Sequence, residues 1–286
     1  VLLAGVLGAA ALTGCGGSDK DGASGSSGAD SSSELKEIKV AASATPHAEI
    51  LEEAKVLLEE EGYKLDVTVF NDYVQPNEVV ESGDFDANYF QHQPYLDQYN
   101  ADAGYESGKD GYLVSVGSIH FEPLGIYAEE PNGKKAISAD DLADGDKIAV
   151  PNDATNEARA LLLLEKYGII KLKEGVGVNA TVKDIESKAK DIELFEMEAA
   201  QIPNKLADVK FAVVNGNYAL DAKITDKLIC AEEKDDEAAK TYANVVAVTE
   251  ANKDNEAVKA LVEVLKSEDI QNYINKTFSG VVVPAQ

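Results

Sequence analysis

The sequence predicts an α/β fold arranged as two lobes. Short apolar strands alternate with capped helices. The alternation stops near residue 118 and starts again at Ile148. Extended stretches, not helices, join the two sets. With 286 residues and 44% hydrophobic side chains, the chain can fill two ordinary cores.

The first set opens with Ile38–Ala42 (IKVAA), a buried strand. Thr45-Pro46 starts a helix that runs to about Glu61 and stops at Gly62. Leu65–Phe70 alternates as a strand. Pro76–Ser82 is a short helix closed by Gly83, Asp86–Gln91 a third strand, and Pro94–Tyr99 opens another helix. Tyr112–Val116 and His120–Ala128 are extended. The second set comprises Ile148–Val150, a leucine-rich helix bearing Arg159, Ile192–Phe195, the helix Glu198–Ala207 and Phe211–Val214. Asn244–Val248 is a strand, Asn255–Tyr273 a closing helix and Gly280–Val283 extended. This order predicts largely parallel sheets. The chain is expected to cross between lobes near Ser118–Glu122 and Val248–Glu250, giving 34–118 plus 250–286 as one lobe and 119–249 as the other. Ligands of such folds sit at strand C-terminal ends, in the cleft.

A net charge of −26 opposes binding to nucleic acid and charge-driven adsorption to anionic membranes. The first residues, 1–14, read as the end of a signal peptide: Val1–Leu12 is apolar but too short to span a bilayer. Leu12-Thr13-Gly14-Cys15 resembles the bacterial lipobox, which implies cleavage before Cys15 and lipid on its sulfur. Two or more acyl chains hold a protein stably at a membrane. Residues 16–33, rich in Gly, Ser, Asp and Ala, complete a flexible tether that starts at Cys15. A secretory signal followed by a disordered tail is the simpler alternative. Cys230 is then left without a partner in the chain, a free structural thiol.

Three clusters carry candidate binding chemistry. Arg159 is the only arginine of the chain. A guanidinium grips a carboxylate with two parallel bonds, which a lysine ammonium cannot do. Asp153 or Thr155 can cap its helix, placing Arg159 in or just after the first turn. A surface bridge to one of the many acidic side chains remains the alternative. Eleven of the 12 Tyr and 7 Phe lie in Phe70–Tyr127, a fifth of the length. Alternation sends Phe90 and His92 to one face of a strand and Tyr89 and Gln91 to the other. With Tyr73 and Tyr95 they form a wall suited to an apolar or thioether side chain; a plain aromatic core is the competing reading. Val213-Val-Asn-Gly-Asn-Tyr218 ends a strand in two amides, suited to the polar end of an amino acid, or to an ordinary Asn-Gly turn.

Several stretches together resemble the NlpA-type lipoproteins, methionine-binding lipoproteins of ABC importers. They are ATPHAEIL (Ala44–Leu51), NDYVQPN (Asn71–Asn77), DANYFQHQPYL (Asp86–Leu96), IHFEPLGIY (Ile119–Tyr127), PNDATNEARALLLLEKYG (Pro151–Gly168), EMEAAQIP (Glu196–Pro203), VNGNYAL (Val214–Leu220) and YANVVAV (Tyr242–Val248). The resemblance implies a type II periplasmic-binding-protein-like fold: two α/β lobes joined by crossover strands around a ligand cleft. It implies that Tyr73, Phe90 and Tyr95 surround the ligand side chain beside His92, that Arg159 binds its carboxylate, and that Asn215 holds its polar end. Asn156 and Asn217 are implied neighbours, although relatives vary between the first asparagine and the tyrosine of VNGNY.

The implied function is capture of L-methionine by a monomeric, outward-facing, lipid-anchored protein of a Gram-positive cell. Its partners would be the permease and ATPase subunits of a methionine importer, with no cofactor. A methionine derivative, a Met-containing dipeptide or another apolar amino acid is the nearest alternative. A metal-binding lipoprotein using His47, His92 and His120 is more remote, since their spacings match no compact ligand motif. An enzyme is equally remote: the chain has no G-x-S-x-G, phosphate loop, HExxH or Cys–His neighbour pair.

Overall fold

A computed structural model of the chain describes residues 35–234 and 237–285. The signal-like segment 1–14, Cys15 and the tether 16–33 lie outside the described residues. The first half runs β1 (Lys36–Ala42), α1 (Glu49–Glu60), β2 (Tyr63–Val69), α2 (Gln75–Glu81), β3 (Ala87–His92), α3 (Gln93–Ala103), β4 (Leu113–Phe121) and β5 (Gly125–Tyr127). There follow β6 (Lys147–Pro151), α4 (Ala154–Lys166), β7 (Ile170–Leu172), β8 (Ile185–Lys188), β9 (Glu193–Met197), β10 (Phe211–Val214), α5 (Gly216–Asp221) and β11 (Leu228–Ala231). The chain ends in α6 (Glu237–Thr241), β12 (Ala243–Thr249), α7 (Glu256–Leu265), α8 (Glu268–Phe278) and β13 (Val283–Pro284).

The strands form a six-stranded sheet, β13-β4-β12-β3-β1-β2, and a five-stranded sheet, β11-β5-β10-β6-β9. Each sheet has its own apolar core. Helix α1 buries Ile50, Leu51, Ala54 and Leu58 against the first sheet, the stripe that a 3.6-residue period places on one face. Helix α4 buries Leu161, Leu163 and Leu164 against the second. The expected two-lobed α/β architecture is present. No helix among the described residues is long and apolar enough to cross a membrane.

The structure departs from the sequence reading in several places. The sheets are mixed, not largely parallel: β12 lies antiparallel between β3 and β4, and β5 antiparallel between β10 and β11. Strand β12, expected to close the second lobe, sits near the middle of the first sheet. The chain therefore passes from the first sheet to the second between β4 and β5, and returns to the first between β11 and β12. The extended stretch His120–Ala128 is broken after Phe121, where Pro123 has no N–H for a sheet ladder. Thr45 keeps an extended backbone (φ −128°, ψ 133°), so regular α-helix begins only at Glu49. The expected segment Glu198–Ala207 is 3-10 helical, Ala199–Asp208, around Pro203. The single closing helix is two: Ser267 accepts from the Ile270 N–H and caps α8 with Glu268 and Asp269 in its first turn. A serine followed by acids starts a helix more readily than it continues one.

These packing assignments set two expectations for urea unfolding. Leu161→Ala, at a position with no exposed surface, lowers stability by about 2–5 kcal/mol. Ser267→Ala lowers it by about 1 kcal/mol through the lost cap. A Leu161→Ala protein as stable as the parent would show that the second core is not packed as described.

Candidate functional site

Arg159 is buried on α4, 4% exposed. Asp153 caps that helix by accepting from the Asn156 N–H at 3.0 Å. The guanidinium does grip a carboxylate with two bonds, but the partner is the chain's own Glu232: Nε to Oε1 at 2.8 Å and Nη2 to Oε2 at 2.5 Å. Nη2 also donates to the Glu122 carbonyl at 2.8 Å. The Tyr242 ring stands against the cation, its centroid 4.4 Å from Cζ, with Phe121 at 5.6 Å. The alternative of an acidic partner is thus real, yet the bridge is buried rather than on the surface. Leaving a buried guanidinium unpaired costs several kcal/mol, which explains the internal counter-ion. Nη1 makes no hydrogen bond among the described residues and remains for an added acceptor at the cavity, which Arg159 lines.

Asn156 is the hub of the polar end. Its Oδ1 accepts from His92 Nε2 at 3.1 Å and from Asn215 Nδ2 at 2.8 Å, while its Nδ2 donates to Asp153 at 2.9 Å. His92 Nδ1 accepts the Tyr95 N–H at 3.2 Å, capping α3 and assigning the ring proton to Nε2. Asn215 Oδ1 is buried with no hydrogen-bond partner among the described residues, an acceptor aligned for an added N–H donor.

The aromatic wall closes the other side. Tyr73 stacks near Phe90 (centroids 5.9 Å), Tyr95 (5.7 Å) and Tyr218 (4.8 Å). Its hydroxyl donates to Asn217 Oδ1 at 2.6 Å, so a first-lobe aromatic is tied to a second-lobe amide. The cleft between the sheets is therefore bridged at both ends, by Tyr73–Asn217 and by His92–Asn156. All eight sequence candidates, Tyr73, Phe90, His92, Tyr95, Asn156, Arg159, Asn215 and Asn217, line one cavity of about 340 Å³ including its mouth.

Gln91, Glu122, Gly216 and Asn244 line it too, and sequence reasoning did not name them. Strict alternation sends Gln91 away from Phe90. Instead a bulge leaves Phe90 without a partner on β12: Val245 pairs with Gln91 and Val246 with Tyr89. Bulges re-aim side chains in this way. Gln91 is then fixed by amide bonds to Asn77 (2.6 and 3.0 Å) and Asn88 (2.9 Å). The Asn215-Gly216 pair is no turn; it opens α5. Gly216 is there for space, since a Cβ would stand 2.8 Å from both Cβ and Oε2 of Glu122. Cys230 is a buried free thiol, far from reactive because burial pushes its pKa up.

The residues 38–286 match the family model of the NlpA lipoprotein. The chain is 39% identical to the D-methionine-binding lipoprotein MetQ of Escherichia coli O157:H7 over 97% of its own length and 94% of the relative's. A solved lipoprotein structure from Ruminococcus gnavus ATCC 29149 superposes with a TM-score of 0.81 at 55% identity, covering 88% of this chain and all of that one. A nutrient-binding protein of Burkholderia cenocepacia, solved bound to methionine, superposes with a TM-score of 0.77 at 43% identity, covering 87% of this chain and 100% of that one.

Burial, and secondarily the Arg159 charge, pulls His92 from the ordinary 6.5 down to about 3. In the unfolded chain it protonates at its ordinary value. Between these values the unfolded state holds the extra proton, so stability falls as pH drops from about 6.5 toward 3. Urea unfolding at pH 7.5 and pH 5 should show this slope, and His92→Gln should make it shallower. An identical slope in the variant would mean that this imidazole is hydrated.

Proposed function

The chain belongs to the NlpA lipoprotein family, and on that premise we propose that it is the substrate-binding lipoprotein of a methionine ABC importer. The single observation that carries the ligand class is the pairing of two unlike ends in one small cavity. At one end stand Arg159 Nη1 and the unpartnered Asn215 Oδ1. An α-carboxylate accepts from the first and an α-ammonium donates to the second. At the other end, Tyr73, Phe90 and Tyr95 enclose an apolar tail. A thioether against ring edges gains roughly 0.3–1.5 kcal/mol per contact, which favours methionine over an aliphatic side chain of equal length. L-Methionine is the form we propose.

Capture follows from the fold. The ligand enters between the first sheet with its helices and the second sheet with its own. The bridges Tyr73–Asn217 and His92–Asn156 hold the lobes together around it. Hinge closure of this kind changes the surface offered to a partner, here the permease and ATPase subunits of the importer. Lipid on Cys15 would hold the protein at the outer face of the membrane, and the net charge of −26 with the lipobox-like Leu12–Cys15 fits a Gram-positive cell. The role is delivery of an unchanged amino acid, not its conversion.

Calorimetric titration with L-methionine tests this. Arg159→Ala should cost about 2–5 kcal/mol of binding. Because that change also strands Glu232, Asn215→Ala is the gentler variant, expected to cost about 1.5–3 kcal/mol for a hydrogen bond to a charged group. Phe90→Ala should weaken methionine more than alanine. Wild-type affinity in both polar variants, or equal losses for both ligands in Phe90→Ala, would remove these residues from the account. Mass spectrometry of ligand released from the purified protein should find methionine itself; a derivative or dipeptide there would replace it.

A further inference from the structure

Beside the cavity, and sharing only Glu122 and Asn244 with its lining, lies a second constellation. His47, from the turn before α1, His120 on β4 and Glu122 just after it converge, all three buried, with one donor atom each within 4.8 Å of the others. Glu122 Oε1 is 2.7 Å from His120 Nε2 and 3.5 Å from His47 Nε2. Asn244 Oδ1, from β12, is 2.9 Å from the same His47 nitrogen. Three donor atoms, two imidazole nitrogens and one carboxylate oxygen, thus face one another, and Asn244 Oδ1 stands beside the His47 nitrogen as a fourth. We propose that they form a site for one divalent first-row transition ion, with Zn²⁺ as the representative.

The geometry suits such an ion. At Zn–N distances of about 2.0–2.1 Å, the donors of a tetrahedral site stand about 3.3 Å apart. The measured spacings of 2.7, 2.9 and 3.5 Å bracket that edge, so movements of under about 1 Å complete the shell. A metal-bound imidazole usually holds a partner on its other nitrogen: His120 Nδ1 is hydrogen-bonded to the Tyr89 hydroxyl, whereas His47 Nδ1 is buried without a partner among the described residues. On metal binding both imidazoles carry their proton on Nδ1, leaving Nε2 for the ion, and any proton shared with Glu122 leaves to solvent.

Charge and access point the same way. Arg159 pairs with the Glu232 carboxylate and meets Glu122 only at its backbone carbonyl, so among the described residues the Glu122 carboxyl has only the two imidazoles within ion-pair distance. Glu122 and Asn244 also line the ligand cavity, which supplies the route in. His92, the third histidine of the chain, stands apart with Asn156 and takes no part. This site does not depend on which amino acid the cavity prefers.

The test uses purified protein stripped with a chelator, then titrated with Zn²⁺ against a coloured competitor. One equivalent should bind per chain. His47→Gln and His120→Gln should each lower its affinity at least tenfold. X-ray absorption of the Zn²⁺-loaded parent should show two imidazoles around the ion, a readout that needs no variant to fold. With Co²⁺, intense visible bands of a four-coordinate ion should appear. Several weak equivalents that vanish with added salt and persist in both variants would assign binding to surface carboxylates and overturn the site. An absorption spectrum with oxygen neighbours alone, or no binding at all, would overturn it equally.

Discussion

The buried ion pair between Arg159 and Glu232 is the constraint around which the rest is arranged. A guanidinium taken out of water needs a counter-charge at all times, not only when a ligand is present. Glu232 supplies it with both carboxylate oxygens and also accepts the Leu124 N–H at 2.8 Å. Leu124 lies where the chain enters the second sheet, and Glu232 where it leaves. One carboxylate therefore joins the two passages between lobes and aims the arginine. The same pairing leaves Nη1 without a hydrogen bond among the described residues, on a side chain that lines the cavity.

The other half of the site depends on β3. Every residue of this strand is buried, although four of the six are polar or amphipathic. Their polar atoms are satisfied by one another and by neighbours: Asn88 and Gln91 with Asn77, and His92 with Asn156 and the Tyr95 N–H. A buried polar network of this kind is stable only when nearly complete. Its completeness makes the bulge at Phe90 tolerable, and the bulge lets three successive side chains line one cavity. Tyr73 then links the wall to the second lobe through Asn217, and so couples the enclosure of an apolar tail to the approach of the lobes.

The sequence made much of this legible. Arg159 stood out because one arginine among lysines needs a reason, and the aromatic density around Asp86–Leu96 marked the wall. Other parts were hidden for physical reasons. Glu232 is one acid among 52 Asp and Glu residues, and nothing local separates it from a solvated one. Gly216 looked like half of a turn, whereas its role is to let Glu122 approach. His47 and His120, with no compact spacing, meet only because the segment before α1 is packed against the sheet that contains β4.

Periodicity, capping residues and turn glycines determined by themselves that this chain forms two α/β sets and which helix carries the arginine, because those signals act over a few residues. Strand order, the position of β12 in the first sheet, the counter-ion of Arg159 and the grouping of the two histidines were decided only by the tertiary structure. Each of these joins residues far apart in the chain, such as Arg159 with Glu232 or His47 with Asn244, and no local preference encodes which distant partner a buried charge or polar group will find.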